Sequence, residues 1–236
     1  MCTLSYLPRN NGFYLVNNRD ESPTRAQTLV PQTLVINGKT ILCPVDTEGK
    51  GTWIGVNESG TMVCLMNGAF KPHVRKASYR MSRGRVTIEL LAADDIMEYF
   101  ETMDLRDIEP FTVIAIDEVN VKVFRWDEER KHIEQLSKEL AHIWSSATLY
   151  EPRVAEARLD YFNDHIDSFA QNPDSLKSWH MNLIEGAPSV LLDLPAVRTV
   201  SITSIQSDNE QLSMKYEDLL NHEVYDYQMP VLSKTK

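Results

Sequence analysis

The N-terminal run Cys2-Thr3-Leu4-Ser5-Tyr6-Leu7 reads as a β-strand, and Pro8-Arg9-Asn10-Asn11-Gly12 after it is dense in turn formers. Phe13-Tyr14-Leu15-Val16-Asn17-Asn18 reads as the return strand, leading into Arg19-Asp20-Glu21. A five-residue loop closing this antiparallel pair sets Leu7 opposite Phe13 and Cys2 opposite Asn18. The Arg19-Asp20 pair then lies beside the sulfur. Strand side chains alternate with period two, so a slip of one residue exchanges which of Asn18, Arg19 and Asp20 shares the face of Cys2. The set is better defined than the role of each member.

The set has a chemical rationale. A free cysteine titrates near ~8.5, and a neighbouring guanidinium favours the thiolate, which is the attacking species. Methionine is normally trimmed before a small second residue, so Cys2 is expected to become the first residue and to carry an α-amine as well as a thiol. An α-amine titrates near ~7.7 to 8.0 and can take the thiol proton at neutral pH. Asp20 is the expected hydrogen-bond partner of that amine. Taken singly, a cysteine at a chain end and a polar strand exit are more simply incidental; their juxtaposition favours a site.

Outward from this hairpin, composition narrows the classes. The chain has 236 residues, 42% hydrophobic and 25% charged, ordinary for a soluble globular protein and long enough for one sizeable core. A single domain over residues 1–236 is expected. A net charge of −10 argues against binding a phosphate backbone or an anionic membrane surface. Cys2, Cys43 and Cys64 form no even disulfide framework and no C-x-x-C, which points to a reducing, cytoplasmic setting. No apolar stretch approaches a membrane span, and the N-terminus lacks the layout of a signal peptide. Asn57-Glu58-Ser59, formally a glycosylation sequon, reads as a turn. The six histidines, His73, His132, His142, His165, His180 and His222, show no paired ligand spacing, and no Gly-rich phosphate loop occurs, so neither metal nor cofactor is expected.

Further along, Asn37-Gly38 between Thr33–Ile36 and Lys39–Cys43 is a strong hairpin signal. Trp53–Val56 and Thr61–Met66 flank a second turn, and the latter strand is apolar enough to be buried on both faces. Residues 71–86 are locally basic, with six Lys or Arg and His73, and read either as a solvated loop or as the rim of an anion-attracting pocket. Residues 86–103 carry helical patterning, with Asp94 or Asp95 able to cap a second helix. Residues 111–116 and 119–126 return to strand. A helix is expected after Tyr150, with Val154, Ala157, Tyr161, Phe162, Ile166 and Phe169 at core spacing and Arg158 on the polar side. Asn172-Pro173-Asp174 opens another helix, and residues 197–205 and 223–227 read as late strands.

Four blocks in order, Met1-Cys2-Thr3, Asn18-Arg19-Asp20-Glu21-Ser22 with Arg25, Gly51-Thr52-Trp53-Ile54-Gly55-Val56-Asn57 and Ser82-Arg83-Gly84, resemble the NRDE family, which includes the animal transport and Golgi organisation protein 2. That family is similar in turn to the N-terminal nucleophile (Ntn) hydrolases of the choloylglycine hydrolase and penicillin V acylase type. The resemblance implies an α+β fold, an Ntn-hydrolase-like four-layer αββα sandwich of two antiparallel sheets flanked by helices.

Residue by residue, it implies that Cys2 is the nucleophile and that Asn67, which closes the apolar strand, is an oxyanion donor. On spacing alone, Asn67 reads as a turn residue. Arg198 falls where relatives place an arginine near the site, so Arg19 and Arg198 are both expected to lower the thiol pKa. Asn18, Glu21 and Ser146 are the expected substrate contacts. Ser146 stands where the family pattern has an asparagine; a hydroxyl is shorter and donates one hydrogen, which weakens the case for efficient amide hydrolysis.

Two functions follow. The first is an N-terminal-cysteine amidohydrolase acting on non-peptide amide bonds of small acylated substrates. The second is a non-catalytic carrier of lipid or haem that reuses the fold, with His73 or Cys2 as an axial ligand. The expected partner in either case is a small acyl-amide or amphipathic molecule.

Overall fold

The structure, a computed structural model, describes residues 2–148, 150–208 and 210–232. Met1, Leu149 and the polar end Lys234-Thr235-Lys236 lie outside the described residues. In chain order the elements are β1 (Cys2–Arg9), β2 (Gly12–Glu21), β3 (Leu29–Ile36), β4 (Lys39–Val45), β5 (Ile54–Asn57), β6 (Met62–Asn67), α1 (Arg83–Leu91), α2 (Ile96–Thr102), β7 (Phe111–Ile116), β8 (Val121–Trp126), β9 (Lys131–Leu136), β10 (His142–Ser145), α3 (Pro152–Gln171), α4 (Pro173–His180), β11 (Arg198–Ser207), β12 (Gln211–Asp218) and β13 (Glu223–Pro230). Two antiparallel sheets with helices make this the α+β class expected from the sequence. Among the described residues no helix is long and apolar enough to cross a membrane.

The described residues of 2–25 and 139–228 form one compact unit. Its six-stranded sheet has the order β10-β1-β2-β11-β12-β13. The hairpin at its centre is tighter than the sequence suggests. Pro8 and Arg9 stay in β1, leaving a two-residue turn, Asn10-Asn11. The register therefore differs by one residue from expectation: Cys2 pairs with Arg19, Thr3 with Asn18 and Leu7 with Tyr14. Pro8 is tolerated because β10 pairs with β1 only as far as Tyr6↔His142, so no partner strand waits for its missing N–H. Gly12 enters β2 at φ +148, where a Cβ would stand 2.0 Å from the Ser207 carbonyl oxygen of β11. Only glycine fits that crossing.

Alternation along the strands then sorts the side chains onto two faces. Thr3, Ser5 and Leu7 share one with Tyr14, Val16 and Asn18 of β2 and Ile202 of β11. Helices α3 and α4 pack there, and Leu7, Tyr14, Val16, Phe162, Phe169, Leu176, Trp179, Val190 and Ile202 form the core. Pro152 sits in the first turn of α3, and Asn172 caps α4 by accepting from Asp174 N at 3.2 Å. Trp179 stacks on Phe169 with ring centres 5.8 Å apart and donates its indole N–H to Pro188 O. Arg158 corrects the sequence reading. It is 1% exposed, because the i,i+4 series Val154, Arg158, Phe162 runs down the buried stripe of α3.

Residues 26–138 with 229–232 form the second unit, around a seven-stranded sheet in sequential order from β3 to β9. The Asn37-Gly38 turn is present, with φ 52 and 80, as a primed turn requires. Strands β6 and β7 are buried throughout except at the end of β6, and α1 packs on β5 and β6. The blocks containing Gly51 and Gly84 meet here: Thr52 N donates to Gly84 O at 3.1 Å, and a Cβ on Gly51 would stand 2.2 Å from the Gly84 carbonyl carbon.

Candidate active site at Cys2

The β1–β2–β11 register lays a polar strip across the face opposite the helices. In one row Cys2 pairs with Arg19 and Arg19 with Ser201; in the next, Leu4 pairs with Asn17 and Asn17 with Thr203. Cys2 is 2% exposed and Arg19 5%, while Asn17, Ser201 and Thr203 are fully buried. Asn17 Nδ2 donates to Thr3 O at 3.2 Å, and the Asn17 side chain also hydrogen-bonds the thiol. Burial pushes the Cys2 thiol above its ordinary pKa, and the charge of Asp20 adds to this; Arg19 and the Asn17 hydrogen bond pull it down. Burial dominates, so the resting group is a thiol. The lowering expected from Arg19 acts on it without prevailing. Ser146 follows β10, buried, and its backbone N–H donates to Cys2 O at 3.0 Å.

The helix face behind Cys2 carries a second set. Asp20 pairs with Thr199 on β11, next to a register shift at Val200. Thr199 Oγ1 donates to Asp20 Oδ1 and Tyr150 Oη to Asp20 Oδ2, both at 2.6 Å. Burial raises the Asp20 carboxyl above the usual range, and these two hydrogen bonds oppose the rise. The Tyr150 phenol is itself raised by burial and then by the Asp20 charge. Thr3 Oγ1 donates to Tyr150 Oη at 3.2 Å and accepts from Arg158 at 3.0 Å. The Arg158 guanidinium lies 4.0 Å from the centre of the Tyr150 ring and donates to Ser189 O at 2.9 Å. A buried cation thus sits one residue from the thiol through Thr3.

Asn18 is held apart from this group. Its Oδ1 lies 2.8 Å from His180 Nδ1, and its Nδ2 donates to His180 O at 2.9 Å. The other ring nitrogen of His180 lies 2.8 Å from Ser5 Oγ. Since Asn18 Oδ1 only accepts, Nδ1 carries the ring proton and Nε2 accepts from Ser5. Burial, then the Arg158 charge, lowers the imidazole pKa to about 3, so His180 is neutral.

The remaining expected residues have partners of their own. Glu21 lies 3.8 Å from Arg19 and 3.7 Å from Arg25 and accepts from Ser22 N. Arg198 pairs with Glu21 across the strands, and one end of its guanidinium lies 3.4 Å from Asp193. Asn67 ends β6 in the second unit, opposite Phe111. His73, in that unit too, lies 3.2 Å from Glu109, whose carboxylate also takes Arg83 at 3.1 Å. Among the described residues no group of His, Cys, Asp and Glu is arranged to hold a metal.

The sequence reading did not single out Asn17, Tyr150, Thr199, Ser201, Thr203 or His180 as site residues. Asn17 was within reach, lying two positions before Arg19 on the same face. The rest depend on non-local pairing.

Comparison with known proteins identifies the architecture. A family model described as Transport and Golgi organisation 2 matches residues 1–218. No curated protein matches the sequence. Among solved structures, one conjugated bile acid hydrolase variant from Clostridium perfringens is 10% identical, over 97% of this chain and 92% of its own, with TM-score 0.59. A second variant is 9% identical, over 100% and 99%, with TM-score 0.57. The Caenorhabditis elegans orthologue of N-acylethanolamine-hydrolyzing acid amidase is 10% identical, over 87% and 92%, with TM-score 0.57. At such identities the likeness concerns the fold, which is that of the Ntn hydrolases.

Proposed function

The chain belongs to the Transport and Golgi organisation 2 family, and from that membership we propose that it is an N-terminal-cysteine amidohydrolase cleaving non-peptide amide bonds of small acylated substrates. The observation that carries this reading is the register that sets Cys2 directly opposite Arg19, with Asp20 next in the chain and held by two hydrogen bonds. Proteins of the same fold are named for hydrolysing conjugated bile acids and N-acylethanolamines.

The chemistry requires removal of Met1. The α-amine of Cys2 then takes the thiol proton, because the thiol, raised by burial, does not ionise unaided. Sulfur attacks the amide carbonyl carbon, the C–N bond breaks, and the leaving amine departs with the proton held by the α-ammonium. Water attacks the resulting thioester, releasing the carboxylic acid and restoring the thiol. Arg19 stabilises negative charge developing beside Cys2, and Asp20 orients the amine.

The carrier reading rests on the family name alone.

The test is hydrolysis of a panel of acylated amino acids, N-acyl lactones and penicillin V, followed by amine release. Turnover of at least one member by the wild type, lost in Cys2→Ala, supports the proposal. Equal rates for the two proteins would exclude Cys2 as nucleophile.

A further inference from the structure

Three polar atoms on the Cys2 face have no hydrogen-bond partner among the described residues, although all are fully buried: Asn17 Oδ1, Ser201 Oγ and Thr203 Oγ1. They are neighbours. Asn17 pairs with Thr203, and Ser201 lies two residues before Thr203 on the same face. The orientation of the Asn17 amide is fixed, because Thr3 O must accept and only Nδ2 can donate to it. Oδ1 is therefore the atom left open. An unsatisfied buried polar atom is costly, and natural folds retain such costs mainly where function demands them.

We infer that Asn17, Ser201 and Thr203 form a recognition subsite for an uncharged hydroxyl or carboxamide group of the ligand, beginning beside the thiol, which the Asn17 side chain hydrogen-bonds, and reaching across β2 to β11. The inference deepens the proposed function by naming what the acylated amine must carry. The set offers one acceptor and two hydroxyls that both donate and accept, with no formal charge of its own. A hydroxyl answers it completely, donating to Asn17 Oδ1 and accepting from Ser201 or Thr203. A carboxylate finds Asn17 Oδ1 repulsive, and an ammonium finds hydroxyls but no countercharge in the set.

Two measurements test the subsite without requiring hydrolysis. The first is the thermal midpoint of Thr203→Val in the ligand-free protein. Valine has the same shape and removes the unpaired hydroxyl, so the midpoint rises, by about 2–4 °C. A fall would show that the hydroxyl is satisfied and would overturn the inference.

The second is calorimetric binding to Cys2→Ala of N-(3-hydroxypropyl)octanamide and of N-butyloctanamide, which carries a methyl in place of the hydroxyl. The hydroxylated probe binds about 10- to 100-fold tighter, and the preference disappears in Cys2→Ala/Thr203→Val and in Cys2→Ala/Ser201→Ala. Equal affinities, or no binding of either probe, would overturn the subsite. A clear preference in a protein whose wild type hydrolyses neither the probes nor any member of the amide panel would leave the subsite standing and remove the hydrolase reading.

Discussion

Acidification should destabilise the protein through His180. The imidazole is neutral between Ser5 and Asn18, with its pKa lowered from 6.5 to about 3 by burial first and the Arg158 charge second. A lowered pKa means that the native state binds fewer protons than the unfolded chain between those values. The associated stability is fully present above pH 6.5 and drains away as pH falls toward about 3. At about 1.36 kcal/mol per pH unit the whole window is worth roughly 5 kcal/mol, and about 3 kcal/mol of it is gone by pH 4. Protonation also turns Nε2 from acceptor to donor, so the Ser5 hydroxyl must rotate away.

The assay is urea unfolding at intervals from pH 7 to 4 for the wild type and for His180→Leu. The variant starts less stable, because Asn18 Oδ1 and Ser5 lose their partner, but its curve is flatter by about 3 kcal/mol over that range. Parallel curves, or an NMR titration of His180 with a midpoint near 6.5, would refute the reasoning.

Three further outcomes follow. Gly12→Ala should cost at least about 2 kcal/mol in denaturant unfolding, because the new Cβ meets the Ser207 carbonyl at 2.0 Å on a φ of +148. Arg158→Leu should cost about 2–4 kcal/mol by the same measurement, since Thr3 Oγ1 and Ser189 O lose a buried donor. Tyr150→Phe removes one of the two side-chain hydrogen bonds that hold the Asp20 carboxyl down, so its pKa, already raised, climbs further; carbon-detected NMR of Asp20 shows a higher midpoint than in the wild type.

What could be read from the sequence follows the range of the interactions involved. The Asn37-Gly38 turn, the apolar strand β6, Pro152 at the start of α3 and the Asn172 cap of α4 are local signals, and they place their elements correctly. The β1–β2 pairing is local too, yet its register differed by one, because Pro8 and Gly12 look like loop residues and only the end of β10 and the Ser207 crossing explain why they sit in strands. Strands β9 and β10 carry charged or aromatic side chains at sheet edges and give no clean alternation. β12 does alternate, with Leu212, Met214 and Tyr216 buried, and was readable in principle. The partners of Asp20 and His180 lie more than a hundred residues away in the chain, beyond any spacing rule.

The central claim is that Cys2 forms a thioester with an acylated substrate. Its most direct test is mass spectrometry of the tryptic peptide Cys2–Arg9 after incubation with the amide panel and an acid quench. The account predicts this peptide without Met1 and with the mass of one acyl group on Cys2. A peptide that keeps Met1 in every molecule and never gains an acyl group would contradict it.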